Sequence, residues 1–243
     1  MDTFKDGFDT FEGEAESVGD ETARLRALDI VHTDEFREEL HQLNTAIATG
    51  ELIEGNVCYP NNATVEWILD NEPLTDPDLV KKRINLKTVS RARNNFLEVG
   101  LNAGHSALII LMANPNVTLY SFDIGQYAYT HKAIAFLRKR FATRFHVWVG
   151  DSRELLPQFY ILHPRQRFDA IHIDGGHSEG IAFADMSNAL RMACRDAHFI
   201  VDDFPHPPIS KAFSEILAAG FLRRSREDAL LEKTPYHEIV RVA

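Results

Sequence analysis

Hydrophobic and polar positions follow two rhythms along the chain, and the change falls near residue 94. Before it, apolar residues recur at helical spacing. "TDEFREELHQLNTAIATG" is one such stretch, with Gly50 as its stop. "NATVEWILDNE" and "DPDLVKKRINLKTVSRAR" predict two further helices, the second opened by Asp76 and Pro77. The "EGNVCYP" between them reads as a loop. After residue 94, short apolar runs alternate with helical stretches. "FLEVG", "VTLYSFD", "FHVWVGD", "FDAIHID" and "AHFIVDD" predict strands. "HSALIILMA", "YTHKAIAFLRKRF", "SRELLPQFY", "SEGIAFADMSNALRMAC" and "PPISKAFSEILAAG" predict the helices that follow each in turn. "FLRRSRE" and "YHEIVRV" close the chain as strands. Such alternation implies an α/β fold, a parallel sheet with helices on both faces. Three segments follow: an acidic opening over 1–22, a helical cap or lid over 23–93, and an α/β domain over 94–243.

Composition narrows the class. With 243 residues, of which 44% are hydrophobic, the chain can bury the core of one domain plus a short appendage. No apolar run is long enough to cross a bilayer, so no membrane partner is expected. The N-terminus is acidic and lacks the basic start of a signal peptide. Cys58 and Cys194 form no framework of bridges, which fits free thiols in a reducing, cytoplasmic setting. The net charge of -10 argues against nucleic acid as a partner. Much of that charge lies in "MDTFKDGFDTFEGEAESVGDE", whose composition predicts disorder. Phe4, Phe8 and Phe11 within it offer an alternative, a turn-spaced stripe that docks on a partner or on the domain.

The acids change the picture more than the totals do. Five successive predicted strands end in a carboxylate: Glu98, Asp123, Asp151, Asp174 and the pair Asp202–Asp203. In an open parallel sheet, ligands bind in the crevice at the carboxyl ends of the strands. Like charges along one edge repel unless cations or hydrogen-bond donors lie among them. "EVGLNAGHS" joins the first of these strands to its helix, and Gly100 and Gly104 allow a tight turn close to a ligand. It is neither a Walker loop nor the nicotinamide fingerprint. Asp123 follows at the next strand end, where a carboxylate accepts hydrogen bonds from both hydroxyls of a ribose. Asp151 and Ser152 of "GDS" are placed to face an adenine edge, and Ser106 to meet a carboxylate at a helix start.

These residues resemble the class I S-adenosylmethionine-dependent methyltransferases. Glu98-Val-Gly100-Leu-Asn102-Ala-Gly104 is similar to their first motif, Asp123 to their ribose acid and Gly150-Asp151-Ser152 to their adenine-side motif. The resemblance covers roughly 56–243 and implies a Rossmann-like, seven-stranded, mostly parallel sheet with an antiparallel last strand. It assigns the cofactor site to Glu98, Gly100, Asn102, Gly104, Ser106, Asp123, Asp151 and Ser152. "DGGHS" also resembles the cation-dependent O-methyltransferases of the sugar and macrolide branch. That likeness implies a magnesium ion, or a similar divalent cation, held by Asp174, Asp202 and Asp203. Acids at adjacent strand ends, about 4.8 Å apart, can share one hard cation. His177 stands where the catechol enzymes usually carry a lysine and takes the role of general base, which favours a sugar or other aliphatic hydroxyl as acceptor. Three other readings stay open: a metal-independent N- or C-methyltransferase, a non-catalytic S-adenosylmethionine-binding module, and a zinc hydrolase built on His172 and His177. A homo-oligomer is compatible with the sequence, which does not fix the oligomeric state.

Overall fold

The three helices that the spacing predicts before residue 94 form, each started by a side-chain cap. The computed structural model describes residues 12–225 and 231–243. Helix α1 (Glu12–Leu28) precedes a 3-10 turn at Ile30–His32 and α2 (Asp34–Ala46). A two-stranded antiparallel ribbon follows, β1 (Leu52–Ile53) with β2 (Ala63–Thr64), then α3 (Val65–Asp70) and α4 (Pro77–Arg91). Thr33 accepts from the Phe36 amide, Thr64 from that of Trp67, and Asp76 from those of Asp78 and Leu79. Helix α1 takes in part of the acidic opening expected to be disordered. Residues 1–11, with the stripe of Phe4, Phe8 and Phe11, lie outside the described residues.

The α/β part runs β3 (Asn95–Val99), α5 (His105–Ala113), β4 (Thr118–Asp123), α6 (Ala128–Arg140), β5 (Phe145–Val149) and α7 (Ser152–Leu162). It continues with β6 (Phe168–Ile173), α8 (Glu179–Leu190), β7 (Ala193–Val201), α9 (Pro207–Ala218), β8 (Leu222–Arg223) and β9 (Glu238–Val242). These seven strands form one sheet in the order β5-β4-β3-β6-β7-β9-β8. The five from β3 to β7 are mutually parallel, and β9 runs antiparallel to both β7 and β8. The sheet is therefore the expected Rossmann-like one, with an antiparallel last strand. Neighbouring strand residues feed opposite cores: Phe96, Ala170 and Ile200 pack on one face, Leu97, Ile171 and Phe199 on the other.

Chain direction across the sheet reverses between β3 and β6. That switch point opens a crevice at the strand ends, the usual ligand position in such folds. The cap is fixed against this domain by buried polar contacts. Asn44 of α2 bridges Tyr59 and His105, at 3.0 and 2.9 Å. Within the cap, Arg83 is fully buried and grips Asp29 through Nε at 3.0 Å and Nη2 at 2.5 Å. Its remaining donors reach the carbonyls of Val57 at 3.0 Å and Leu74 at 2.8 Å. A buried ion pair is tolerable when its spare donors are satisfied in this way. Among the described residues, no helix is long and apolar enough to cross a membrane.

Candidate active site

The loop after β3 is built around a close approach that only glycine permits. Gly100 has φ 95, and a Cβ there would lie 1.9 Å from the carbonyl oxygen of Asp174. Asp123 at the end of β4 holds the loop from the other side. Its Oδ2 accepts from the amides of Leu101 at 2.8 Å and Asn102 at 2.9 Å, and its Oδ1 from Gly125 at 2.7 Å. Of about four lone-pair positions on a carboxylate, these contacts fill three, so Oδ1 keeps acceptor capacity. Asn102, in the left-handed region at φ 52, donates through Nδ2 to the carbonyls of Glu54 and Gly55, tying the loop to the cap. Gly104 caps α5. Asp151 caps α7 and pairs with Arg153 at 2.5 Å, and Ser152 donates to Asp185 at 2.6 Å.

Three residues expected at the cofactor, Glu98, Gly104 and Ser106, do not line the crevice. Glu98 is not the last residue of its strand: it pairs with His172 inside the ladder and is fully buried. Its oxygens accept from Ser106 at 2.6 Å and from Ser121 at 2.8 Å. Glu98 and Ser106 thus bind each other beneath the loop rather than lining the crevice. Gly100, Asn102, Asp123, Asp151 and Ser152 do line it.

The register explains the second cluster. Glu98, His172 and Ile200 sit side by side on β3, β6 and β7. Asp174 and Asp202 come two residues later on their strands, so both point to the face that carries His172. One ligand atom from each of His172, Asp174 and Asp202 lies within 4.8 Å of the others. His172 lies 3.8 Å from Glu98 and 3.7 Å from Asp202. Although burial opposes its charge, contacts with Asp202 and Glu98 raise its pKa to about 10. Burial and the neighbouring Asp202 push the Asp174 carboxyl up to about 8. Against the cost of burial, Lys82 and His172 hold Asp202 well below the usual carboxylate range. The nearest cation to Asp202 is Lys82 of α4, with Nζ 2.7 Å from Oδ2.

Asp203 goes elsewhere. Its φ of 51 is rare for a residue with a side chain. The turn brings its carboxylate to His177 Nε2, at 2.8 Å. That hydrogen bond raises the pKa of His177 above the ordinary histidine value. The three carboxylates expected to hold Mg²⁺ are therefore not brought to one point. As they stand they do not fit that ion: Asp202 is bound by an ammonium, Asp203 by an imidazole, and the nearest third donor is a histidine, a poor partner for Mg²⁺.

One cleft of about 1150 Å³ lies between cap and domain. Pockets for one drug-sized ligand span about 300–1,000 Å³, so there is room for a nucleoside cofactor beside a second small molecule. Glycine loop, Asp123 and Ser152 line one part, and Lys82, Asp174, His177 and Asp203 another. Sequence reasoning missed Lys82. "DLVKKRINLK" carries four basic residues on one predicted helix, and nothing in the string tells which of them turns inward. In the sequence His172 reads only as a zinc candidate, because its pairing with Glu98 depends on strand order.

Residues 97–204 match the family model described as a methyltransferase domain. Together with the sheet order, this marks residues 97–204 as an S-adenosylmethionine-dependent methyltransferase domain. The chain resembles in fold an O-methyltransferase from Bacillus cereus solved with S-adenosylhomocysteine. The two are 15% identical with a TM-score of 0.61, over 92% of this chain and 97% of that one. It is also similar to the Podospora anserina methyltransferase PaMTH1, at 12% identity and TM-score 0.60, over 99% and 100% of the two chains. A third solved structure is CalS11, a TDP-rhamnose 3'-O-methyltransferase of calicheamicin biosynthesis, at 16% identity and TM-score 0.57, over 86% and 95%. None of the curated protein sequences compared with the chain matches it.

Proposed function

We propose that the protein methylates a hydroxyl oxygen of a small molecule, with a sugar or other aliphatic alcohol as acceptor. The observation that carries this reading is the shared cleft, in which the glycine loop and Asp123 stand beside the His177–Asp203 pair. S-adenosylmethionine supplies an activated methyl group, whose carbon forms a bond to the acceptor oxygen while the C–S electron pair returns to sulfur. Asp123 receives a ribose hydroxyl on Oδ1 while its loop contacts hold the backbone in place. Gly100, Asn102 and Gly104 shape the loop, and Asp151 and Ser152 form the wall on the adenine side. Glu98 and Ser106 act from beneath by fixing the start of α5 against β3 and β4.

An alcohol attacks poorly until its proton leaves. His177 takes that proton: with Nε2–H donating to Asp203, Nδ1 is the basic nitrogen, and the Asp203 charge steadies the imidazolium that forms. Transfer from a cation to a developing anion gains from a closed, low-dielectric site. The cap supplies the closure, since Lys82 and the Glu54–Gly55 segment form part of the wall. The description of CalS11 as a sugar O-methyltransferase supports the acceptor class, as does the histidine in place of a lysine. A positive charge beside the acceptor oxygen completes the reading. The sequence points to Mg²⁺ for that role, whereas Lys82 is the cation present on the acid pair.

Calorimetry with S-adenosylhomocysteine, joined to a labelled-methyl assay on a panel of sugars and phenols, tests the proposal. Binding should be saturable, weakened by about tenfold or more in Asp123→Ala, and accompanied by label transfer to an alcohol oxygen. Label found only on nitrogen or carbon acceptors, or no binding at all, refutes it.

A further inference from the structure

We propose that the Lys82 ammonium is the protein's own cation at the acid cluster, occupying the space a divalent ion would need and presenting an N–H to the acceptor oxygen. Methyl transfer then needs no metal. This rests on the reading of the cleft as an O-methylation site.

Three observations meet at this residue. First, lysine is almost never buried without a partner. Lys82 is 8% exposed, in the middle of α4, and its Nζ lies 2.7 Å from Asp202 Oδ2. Second, it faces the cleft. Lys82, Asp174 and Asp203 all border the same space, whereas the neighbouring Lys81 turns outward toward Glu21, at 3.6 Å. An ammonium has three donors, so one can serve Asp202 while others remain for a molecule in the cleft. Third, the space is already filled electrostatically. An ion liganded by Asp174 and Asp202 would lie within a few ångströms of the ammonium, and a dication beside a fixed cation is repelled in a low-dielectric site. Mg²⁺ also demands near-octahedral oxygen ligation, and Asp203, which would supply the third carboxylate, is engaged by His177.

The helical cap therefore does chemistry as well as closure. Lys82 reaches the sheet edge from outside the α/β domain, so the charge arrives only when the cap is docked. During transfer the acceptor proton passes to His177 and the oxygen's growing negative charge is met by the Lys82 N–H. The electron pair of the broken C–S bond stays on sulfur, and no redox partner enters.

The test uses Mn²⁺ as a spectroscopic substitute for Mg²⁺ on the full chain. Titration followed by electron paramagnetic resonance of free Mn²⁺ should give the same curve for the wild type and Asp174→Asn, showing only weak surface binding. Turnover should survive EDTA. Lys82→Ala should gain one Mn²⁺ per chain, because the acids lose their nearest cation, and should lose turnover by about 10²-fold or more, the scale of removing one charge-stabilising donor. S-adenosylhomocysteine affinity in that variant should stay within about threefold, less than the tenfold step of 1.4 kcal/mol. Wild-type Mn²⁺ uptake that Asp174→Asn removes, or turnover abolished by EDTA and restored by Mg²⁺, overturns the inference. So does full activity in Lys82→Ala. The wild-type titration decides the matter even if Lys82→Ala fails to fold. EDTA-sensitive methylation of an alcohol sinks this inference while sparing the functional reading. Absent cofactor binding sinks the functional reading first.

Discussion

Gly100→Ala isolates the contact on which the crevice depends. Two costs add at this position. An L-residue at φ 95 costs about 1–2 kcal/mol by its backbone conformation. The new Cβ would sit 1.9 Å from Asp174 O, where real Cβ contacts essentially never fall below 3.0 Å, and the neighbouring atom is backbone. The β3 and β6 ends must separate by about an ångström, which weakens the hydrogen bond between them, Asp174 N–H to Val99 O at 2.8 Å. At about 1 kcal/mol it brings the loss to about 2–3 kcal/mol. Against a typical stability of 5–15 kcal/mol, the variant folds but is weakened. Gly50→Ala is the control: its φ is 77 with nothing within 4 Å of the added Cβ, so only the conformational cost of about 1–2 kcal/mol remains. Urea unfolding measures both, and calorimetry should show S-adenosylhomocysteine binding at least about tenfold weaker in Gly100→Ala alone. If the two variants unfold at the same urea concentration, the close approach does not shape the site as described.

Further outcomes follow from the same geometry. His177→Ala should lower turnover by about 10²- to 10⁴-fold, read in a single-turnover assay with cofactor binding kept. The base works deprotonated, and the Asp203 hydrogen bond raises its pKa, so the rate should rise with pH through a midpoint above that of an ordinary histidine. Asp203→Asn removes the charge and should move that midpoint to lower pH; an unmoved profile would contradict the pairing. Asp29→Ala strands the fully buried Arg83 guanidinium and should cost about 3–5 kcal/mol in chemical denaturation, whereas Asp29→Ala with Arg83→Met should recover part of it.

Element type and order were legible in the string because they depend on local periodicity. The strand "FDAIHID" and the helix opened by Asp76 and Pro77 fall where their patterns put them. The glycine loop and Asp123 were legible for a related reason: a turn and the strand end beside it are bonded through neighbouring backbone, and their distance along the chain is nearly fixed by the fold. Glu98 shows the limit. Its place near the end of an apolar run looked like a strand-end acid, yet register with β6 puts it one row deeper, against Ser106 and Ser121.

The sequence by itself determined an α/β chain with acids gathered at one sheet edge, because alternation, turn residues and strand-end charge act over a few residues. Only the tertiary structure decided how those acids are answered. Asp203 meets His177 because one left-handed residue redirects the chain. Asp202 meets Lys82 because a helix more than a hundred residues earlier in the chain docks over the crevice. Burial fixes the Asp202–Lys82 partnership, since a charge removed from water must find its opposite wherever packing supplies one.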